Sequence, residues 1–231
     1  MKNIKLIIAY DGSHFFGWQI TATGPSVEET LQKTLQNVLQ ENVCLQAASR
    51  TDRGVHAEGQ VVNFVTHQVT LNLQKLTKSL NALLPQTVQV ISAEEMALSF
   101  HPTLDATGKQ YAYTLCFGPF QLPKYRMYSW HLPVQLNREA MQKASSMLCG
   151  LHDFSAFYNQ RKNLSYTDKT RDIFEIIFLS EVENQLQILI SGNHFLYKMV
   201  RTIVGTLVYV GKGKIPLSEI PMILTAKKRS H

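Results

Sequence analysis

The nine residues Ser49–Ala57, with the sequence SRTDRGVHA, separate two apolar segments and define the most informative part of the chain. One carboxylate, Asp52, stands between Arg50 and Arg53 and is followed by Gly54. Fixed positive charge beside a carboxylate favours its ionised form, and glycine permits a tight backbone turn. The pattern suits a carboxylate held at the end of a strand, facing a cleft, as a nucleophile. It suits a surface loop with a structural Arg–Asp pair equally well.

The segments on either side of this loop, Val43–Ala48 and Gln60–Thr66, are predicted to be strands. The serine and glutamate of the segment Ser26–Glu29 form a capping box, and apolar residues then recur at helical spacing. The first half is completed by a strand at 4–10, a helix from 27 to about 40, a helix at 73–84 stopped by Pro85, and a strand at 87–94.

The second half shows a similar mixture of periodicities. Strands are predicted at 110–117, 171–179 and 185–191, with a turn at 183–184, and helices at 137–148, at 196–210 and after Pro216. The polar and basic segment Tyr158–Lys169 is expected to be a mobile loop. These elements predict an α+β protein with two sheet-plus-helix halves, an N-terminal domain at 1–104 and a C-terminal domain at 105–231.

Composition narrows the class of protein. The 231 residues are 45% hydrophobic and carry a net charge of +6, which favours a polyanionic partner such as nucleic acid, although a basic enzyme without such a partner is also compatible. The three cysteines, Cys44, Cys116 and Cys149, lack zinc-binding spacing and suit a reducing cytoplasm. No segment is long enough to span a membrane, and the N-terminal apolar residues are interpreted as a strand rather than a signal peptide.

Seven segments, read together, resemble the tRNA pseudouridine synthase A (TruA) family. They occur in the family's order and extend over nearly the whole chain. The segments are YDGSHFFGWQ (10–19), RTDRGVHA (50–57), NALLP (81–85), FH (100–101), GKQYAY (108–113), GLHDFSAF (150–157) and MVRTIVGT (199–206).

The resemblance implies the pseudouridine synthase fold, with a central catalytic cleft between the two halves. It implies that the chain converts uridines 38, 39 and 40 of the tRNA anticodon stem-loop to pseudouridine, without a cofactor or a metal ion. It also implies a homodimer that binds the anticodon arm of tRNA. Two alternatives stay open: a synthase for other RNA uridines, and a non-catalytic RNA-binding protein on the same fold.

The resemblance also assigns roles to residues. Asp52 is the expected nucleophile, Arg201 its partner across the cleft, and Tyr111 the platform that stacks on the target uracil. Arg201 interrupts an apolar run, where an unpaired charge is costly. Arg50 is expected to contact the RNA backbone or the flipped nucleotide. Basic residues that could line a groove for RNA phosphates are Arg53, Lys109, Arg161, Lys162, Lys169 and Arg171. A contribution to solubility alone is the alternative for each, and it is favoured for Lys162 and Lys169.

Several residues are assigned supporting roles, and others depart from the family pattern. Packing or hydrogen-bonding roles are expected for His56, His101, His152 and His194, and packing roles for Tyr10, Phe16 and Trp18. Ser49 replaces a glycine usual in the family, and Thr103 stands where an arginine is common. The family continues beyond Lys227–His231 with a turn and a strand, so we expect either a short member or one without that segment, whose loss would uncover a sheet edge.

Overall fold

A computed structural model describes residues 1–160, 166–179 and 184–226. The chain divides into two compact units, Met1–Ala106 and Thr107–His231. Each unit contains one β-sheet and α-helices, which confirms the α+β class. None of the helices in these described ranges is long and apolar enough to cross a membrane.

The first unit is built on a four-stranded antiparallel sheet of order β2-β3-β1-β4. Its elements are β1 (Lys2–Tyr10), α1 (Val27–Leu39), β2 (Gln46–Ala47), β3 (Ala57–Thr66), α2 (Leu73–Leu83) and β4 (Val88–Met96). Alternate residues of β1 are buried, which is the period expected of a strand with one face in a core. Leu31 and Leu35 of α1 and Leu80 of α2 belong to the same core cluster as these β1 residues.

Side-chain caps fix where the first two helices begin. The hydroxyl of Ser26 accepts a hydrogen bond from the amide of Glu29 at 3.2 Å, which confirms the predicted cap of α1. The side chain of Asn72 likewise accepts from the amide of Lys75 at 2.9 Å at the start of α2. Each cap satisfies a backbone donor that has no partner within the helix.

The second unit is built on a five-stranded sheet of order β6-β5-β9-β8-β7, in which only β5 and β6 pair in parallel. Its elements are β5 (Lys109–Phe117), β6 (Trp130–Leu132), α3 (Arg138–Leu148), β7 (Gly150–Asp153), β8 (Thr170–Leu179), β9 (Gln185–Gly192), α4 (Met199–Gly211) and α5 (Glu219–Thr225). Met141 of α3, Leu207 of α4 and Ile190 of β9 lie in one fully buried cluster.

Three local predictions are corrected. The strand predicted at 43–48 pairs only at Gln46–Ala47, because Val43 and Leu45 bury their side chains without joining the ladder. The strands β6 and β7 were not predicted, since three or four residues are too few to show a period. The helix predicted from residue 196 begins at Met199, because Lys198 adopts a left-handed conformation with φ of 59°.

Two of the predicted segments fall partly outside the described residues. The structure does not describe residues 161–165 of the predicted mobile loop or Glu183 of the predicted turn. The basic end Lys227–His231 also lies outside the described residues. Within the turn, Asn184 has φ of 59°, a value that asparagine tolerates better than most residues.

Candidate active site

Asp52 lies in the connection between β2 and β3 of the first unit, and a tight turn shapes its backbone. The carbonyl oxygen of Asp52 accepts a hydrogen bond from the amide of Val55 at 3.1 Å. Gly54, the third residue of this turn, has φ of 75°, where turns of this kind need glycine. No atom lies within 4 Å of a Cβ placed on Gly54, so backbone conformation alone accounts for the glycine. The turn predicted at Gly54 is confirmed.

Buried aromatic residues hold the residue that precedes Asp52. The carbonyl of Thr51 accepts from the amide of Trp18 at 3.0 Å, and the Thr51 hydroxyl is bonded to the Tyr10 hydroxyl at 2.7 Å. Both aromatic side chains are buried, as predicted for packing residues. Gly17 has φ of 106°, and a Cβ there would stand 2.8 Å from the Thr51 carbonyl oxygen. Asp52 therefore follows a backbone position held by hydrogen bonds and close packing.

The far side of the loop is held by the residues that follow β1. A Cβ on Gly12 would overlap the carbonyl group of Val55, so the two backbones pack in direct contact. The Nδ1 atom of His56 lies 3.2 Å from the amide of Gly12 and 3.0 Å from Oδ1 of Asp11. It accepts from Gly12 when it carries no proton and donates to Asp11 when it carries one. The hydrogen-bonding role predicted for His56 is confirmed.

The two arginines beside Asp52 are exposed, and one of them has a defined neighbour. The guanidinium carbon of Arg53 lies 4.3 Å from the centroid of the Phe16 ring, which is a cation–π arrangement. Phe16 is 37% exposed, so the packing role predicted for it takes the form of a surface platform for Arg53. Arg50 projects from the same loop.

Ser49 and Thr103, the two departures from the family pattern, both make hydrogen bonds near β2. The side chain of the buried Gln60 donates to the carbonyl of Ser49. The hydroxyl of Thr103 donates to the carbonyl of Ala47 at 2.8 Å. These bonds connect the chain just before the Asp52 loop to β3 and to the segment after β4.

In the second unit, Tyr111 and Lys109 occupy the start of β5. Tyr111 is the register partner of Ile190, and its ring meets the edge of Phe195 at a centroid distance of 5.1 Å and an interplanar angle of 86°. Lys109 is the register partner of Gly192, and burial lowers the pKa of its amine. The partner Phe195 was not predicted, because ring contacts between distant segments leave no local pattern.

Arg201 lies in the first turn of α4 and is exposed. The argument that an unpaired charge would be costly in this apolar run is therefore wrong. The apolar residues Ile203, Val204 and Leu207 point into the core, while Arg201 lies on another face of the helix. The role expected of Arg201 as partner of Asp52 stays a prediction.

Two further basic residues predicted to contact phosphates, Lys169 and Arg171, lie near tyrosine rings. The amine of Lys169 lies 5.0 Å from the Tyr158 ring, and the guanidinium of Arg171 lies 5.7 Å from the Tyr166 ring. The predicted phosphate contacts Arg161 and Lys162 lie outside the described residues.

The remaining histidines differ in their surroundings. Nδ1 of His101 accepts from the amide of Thr103 at 3.1 Å, and Nε2 of His152 is bonded to the carbonyl of Cys149 at 2.8 Å, as predicted. His194 is exposed because the segment after β9 turns to the surface, so it is not a core residue, and a hydrogen-bonding role for its ring stays a prediction. In the part of the chain that the structure describes, no group of three or more His, Cys, Asp or Glu side chains could hold a metal ion.

The structure thus places the predicted site residues in two groups. Arg50, Asp52 and Arg53 share one loop of the first unit, and Lys109, Tyr111 and Arg201 belong to the second unit.

Comparison with known proteins connects these groups to a family. A family model described as tRNA pseudouridine synthase matches residues 6–105 and 144–231. The matched residues include the Asp52 loop and Arg201, while Lys109 and Tyr111 fall between the two matched stretches.

Full-length relatives agree with the family model. The tRNA pseudouridine synthase A 2 of Protochlamydia amoebophila (strain UWE25) is 54% identical over 229 residues, covering 99% of this chain and 87% of that protein. The tRNA pseudouridine synthase A proteins of Thermoanaerobacter sp. (strain X514) and Geotalea daltonii are 42% and 40% identical over 230 residues, covering 100% of this chain and 93% of each relative. The chain therefore belongs to the tRNA pseudouridine synthase family.

Proposed function

We propose that this protein isomerises uridine to pseudouridine in tRNA, at positions 38, 39 and 40 of the anticodon stem-loop. The observation that carries the proposal is the Asp52 loop, in which a carboxylate follows a backbone held by buried Tyr10 and Trp18 through Thr51. The relatives named tRNA pseudouridine synthase A support the substrate class. The choice of these three uridines follows from the resemblance of the motifs.

Asp52 acts as the nucleophile in this proposal. The bond between N1 of uracil and C1′ of the ribose breaks, the base rotates, and C5 forms a new bond to C1′. C5 loses its proton and N1 gains one, so the product is an isomer of the substrate and the reaction requires no oxidant or reductant. A side chain that attacks must be held about 3–3.5 Å from the reacting atom with the right orientation, which is why a loop of fixed backbone suits the task.

Tyr111 and Arg201 complete the proposed reaction centre. Tyr111 stacks on the target uracil, and Arg201 pairs with Asp52. A base within a stem must leave its stack to react, at a cost of a few kcal/mol. Stacking on an aromatic ring returns about 1–3 kcal/mol. The edge contact between Tyr111 and Phe195 fits a ring whose orientation is set before RNA binds.

Arg50, Arg53 and Lys109 contact the RNA backbone in this proposal, and the anticodon arm of tRNA is the partner. Arg53 over Phe16 presents a charge of restricted orientation, which reduces the entropy lost when a phosphate binds. We also propose that the protein works in the cytoplasm as a homodimer, as the resemblance implies.

Tritium release tests this proposal. Unmodified tRNA transcripts labelled at uridine C5 are incubated with the protein, and the modified positions are mapped in transcripts that retain only one of uridines 38, 39 and 40. We expect release from each of the three transcripts and none from a transcript that lacks all three. Release only from other positions would contradict the site assignment. Binding without release would contradict the catalytic role and leave an RNA-binding function.

A further inference from the structure

Two basic side chains and a histidine lie at one end of the second sheet. β5 and β8 both run antiparallel to β9, so the starts of β5 and β8 lie beside the end of β9. Lys109 is the first residue of β5, Arg171 the second of β8, and His194 follows β9 by two residues. The topology therefore brings them together from three separate parts of the sequence.

Hydrogen bonds between two neighbouring segments fix the position of His194. The amide of Asn193 donates to the carbonyl of Asp172 at 3.0 Å, and the side-chain oxygen of Asn193 accepts from the amides of Asp172 at 3.1 Å and His194 at 2.6 Å. A Cβ on Gly192 would stand 2.7 Å from the Asp172 carbonyl oxygen, so the strands approach closely here. His194 is thus held beside the start of β8 although its side chain is exposed.

Two neighbouring positive charges disfavour the protonated form of His194 when no ligand is bound. Partial burial, and then the positive charges of Lys109 and Arg171, lower the pKa of His194. One guanidinium nitrogen of Arg171 donates to the backbone carbonyls of Thr170 and Asp168, and the Asp168 carboxylate, which is exposed, is the acidic group that interacts with its charge. An anion in this place would relieve the repulsion between like charges.

The remaining charged and titratable groups near His194 include carboxylates as well as basic and neutral side chains. Glu175 accepts a bond from the Ser191 hydroxyl at 3.4 Å, and His152, the register partner of Arg171, is bonded to a backbone carbonyl. The other charged or titratable groups at this end of the sheet are Tyr111 on β5, Asp168 just before β8, Asp172 and Glu175 on β8, and Tyr197 and Lys198 just before α4.

We propose that Lys109, Arg171 and His194 form one binding site for a phosphate of the RNA backbone, and that His194 takes up a proton from solvent as the RNA binds. The inference rests on the proposed function, because it takes tRNA as the ligand. It adds His194 as an RNA contact and makes binding depend on pH. A bound phosphate favours the protonated imidazole.

The sign of the pH dependence follows from this linkage. At a pH below the lowered pKa of free His194, the ring is charged with or without RNA, and affinity is highest. As pH rises through the window up to the pKa of the bound state, RNA binding must be accompanied by proton uptake, and affinity falls. Above that window His194 is neutral in both states, and its contribution is lost. One unit of difference between the two pKa values corresponds to about a tenfold difference in affinity.

The test measures binding rather than turnover. The affinity for an unmodified anticodon-arm transcript is followed by fluorescence anisotropy between pH 5.5 and 8.5 at several salt concentrations. For the wild type we expect affinity to fall with rising pH. We also expect the slope of log affinity against log salt to be steeper at low pH by roughly 0.7–0.9, the value of one phosphate contact.

Variants of exposed histidines isolate the effect. We expect the affinity of His194→Asn for the transcript to equal, at every pH, the affinity that the wild type has at high pH. We expect His194→Lys to keep at pH 8.5 the affinity that the wild type has at low pH. His67→Asn, at an exposed histidine of the first unit, should keep the wild-type profile.

Identical pH profiles for the wild type and His194→Asn would overturn the inference and leave the proposed function intact. The expected profile without conversion of uridine would contradict the proposed function alone. No binding of the arm at any pH would contradict both.

Discussion

Gly17→Ala tests whether the backbone before Asp52 must stay in place. Gly17 has φ of 106°, which costs a residue with a side chain about 1–3 kcal/mol. The new Cβ would stand 2.8 Å from the Thr51 carbonyl oxygen and 3.3 Å from the Asp52 carbonyl carbon. The loop must shift, which weakens the bond from the Trp18 amide, worth about 0.5–1.5 kcal/mol. We therefore expect the free energy of unfolding to fall by roughly 2–4 kcal/mol.

The same shift moves Asp52, so turnover should fall even in protein that is fully folded. A displacement near 1 Å can cost about a hundredfold in rate. The assay is single-turnover tritium release at a temperature where urea titration shows the variant to be folded, with tRNA affinity measured in parallel. We expect a rate lower by roughly tenfold to a hundredfold.

Gly213→Ala is the matched control. Gly213 has φ of 68°, no atom lies within 4 Å of a Cβ placed there, and it follows α4 in the second unit. We expect this variant to lose about 1–2 kcal/mol of stability and to keep the wild-type turnover. Wild-type turnover by folded Gly17→Ala protein would refute the reasoning about the loop.

Three further substitutions address separate contacts. Tyr10→Phe removes the hydrogen bond to Thr51, so urea unfolding should show a loss of about 0.5–1.5 kcal/mol and tritium release should slow; an unchanged rate would mean that this bond does not position Asp52. Phe16→Leu removes the ring beneath Arg53 and with it a cation–π interaction worth about 0.5–1 kcal/mol at an exposed site. Fluorescence anisotropy should therefore show weaker tRNA binding. Equal affinity would contradict the role of Phe16 in orienting Arg53. Lys109→Met removes an amine whose pKa is lowered by burial, so the urea midpoint should rise at pH 7. This gain in stability should shrink as pH increases toward 10.5, because the wild-type amine is then neutral in the folded state. A gain that does not change with pH would contradict the burial effect.

Helices in which apolar residues recur at regular spacing over several turns were predictable from the sequence. The cap at Ser26 and the spacing of Leu31 and Leu35 define α1, and the structure places its end within one residue of the expected position. The glycine at position 54 likewise predicted a turn, because the need for a positive φ is local.

Contacts between distant residues were not predictable. The bond between Tyr10 and Thr51 joins residues 41 positions apart, and no periodicity reports such a pairing. The left-handed Lys198 shortened α4 at its start, although its sequence reads as a continuous apolar helix. The sequence predicts a packed or hydrogen-bonded role for His194, and only the order of the strands places it next to Lys109 and Arg171.

The most direct test of the account compares the wild type with Asp52→Asn in single-turnover tritium release from a tRNA transcript labelled at uridine C5, with the affinity for the same transcript measured alongside. Asparagine keeps the size of the side chain and removes the charge. The account predicts release by the wild type at the anticodon stem-loop, no detectable release by Asp52→Asn, and similar affinities for both proteins. Release by Asp52→Asn at the wild-type rate would contradict the central claim that the carboxylate of Asp52 is the nucleophile.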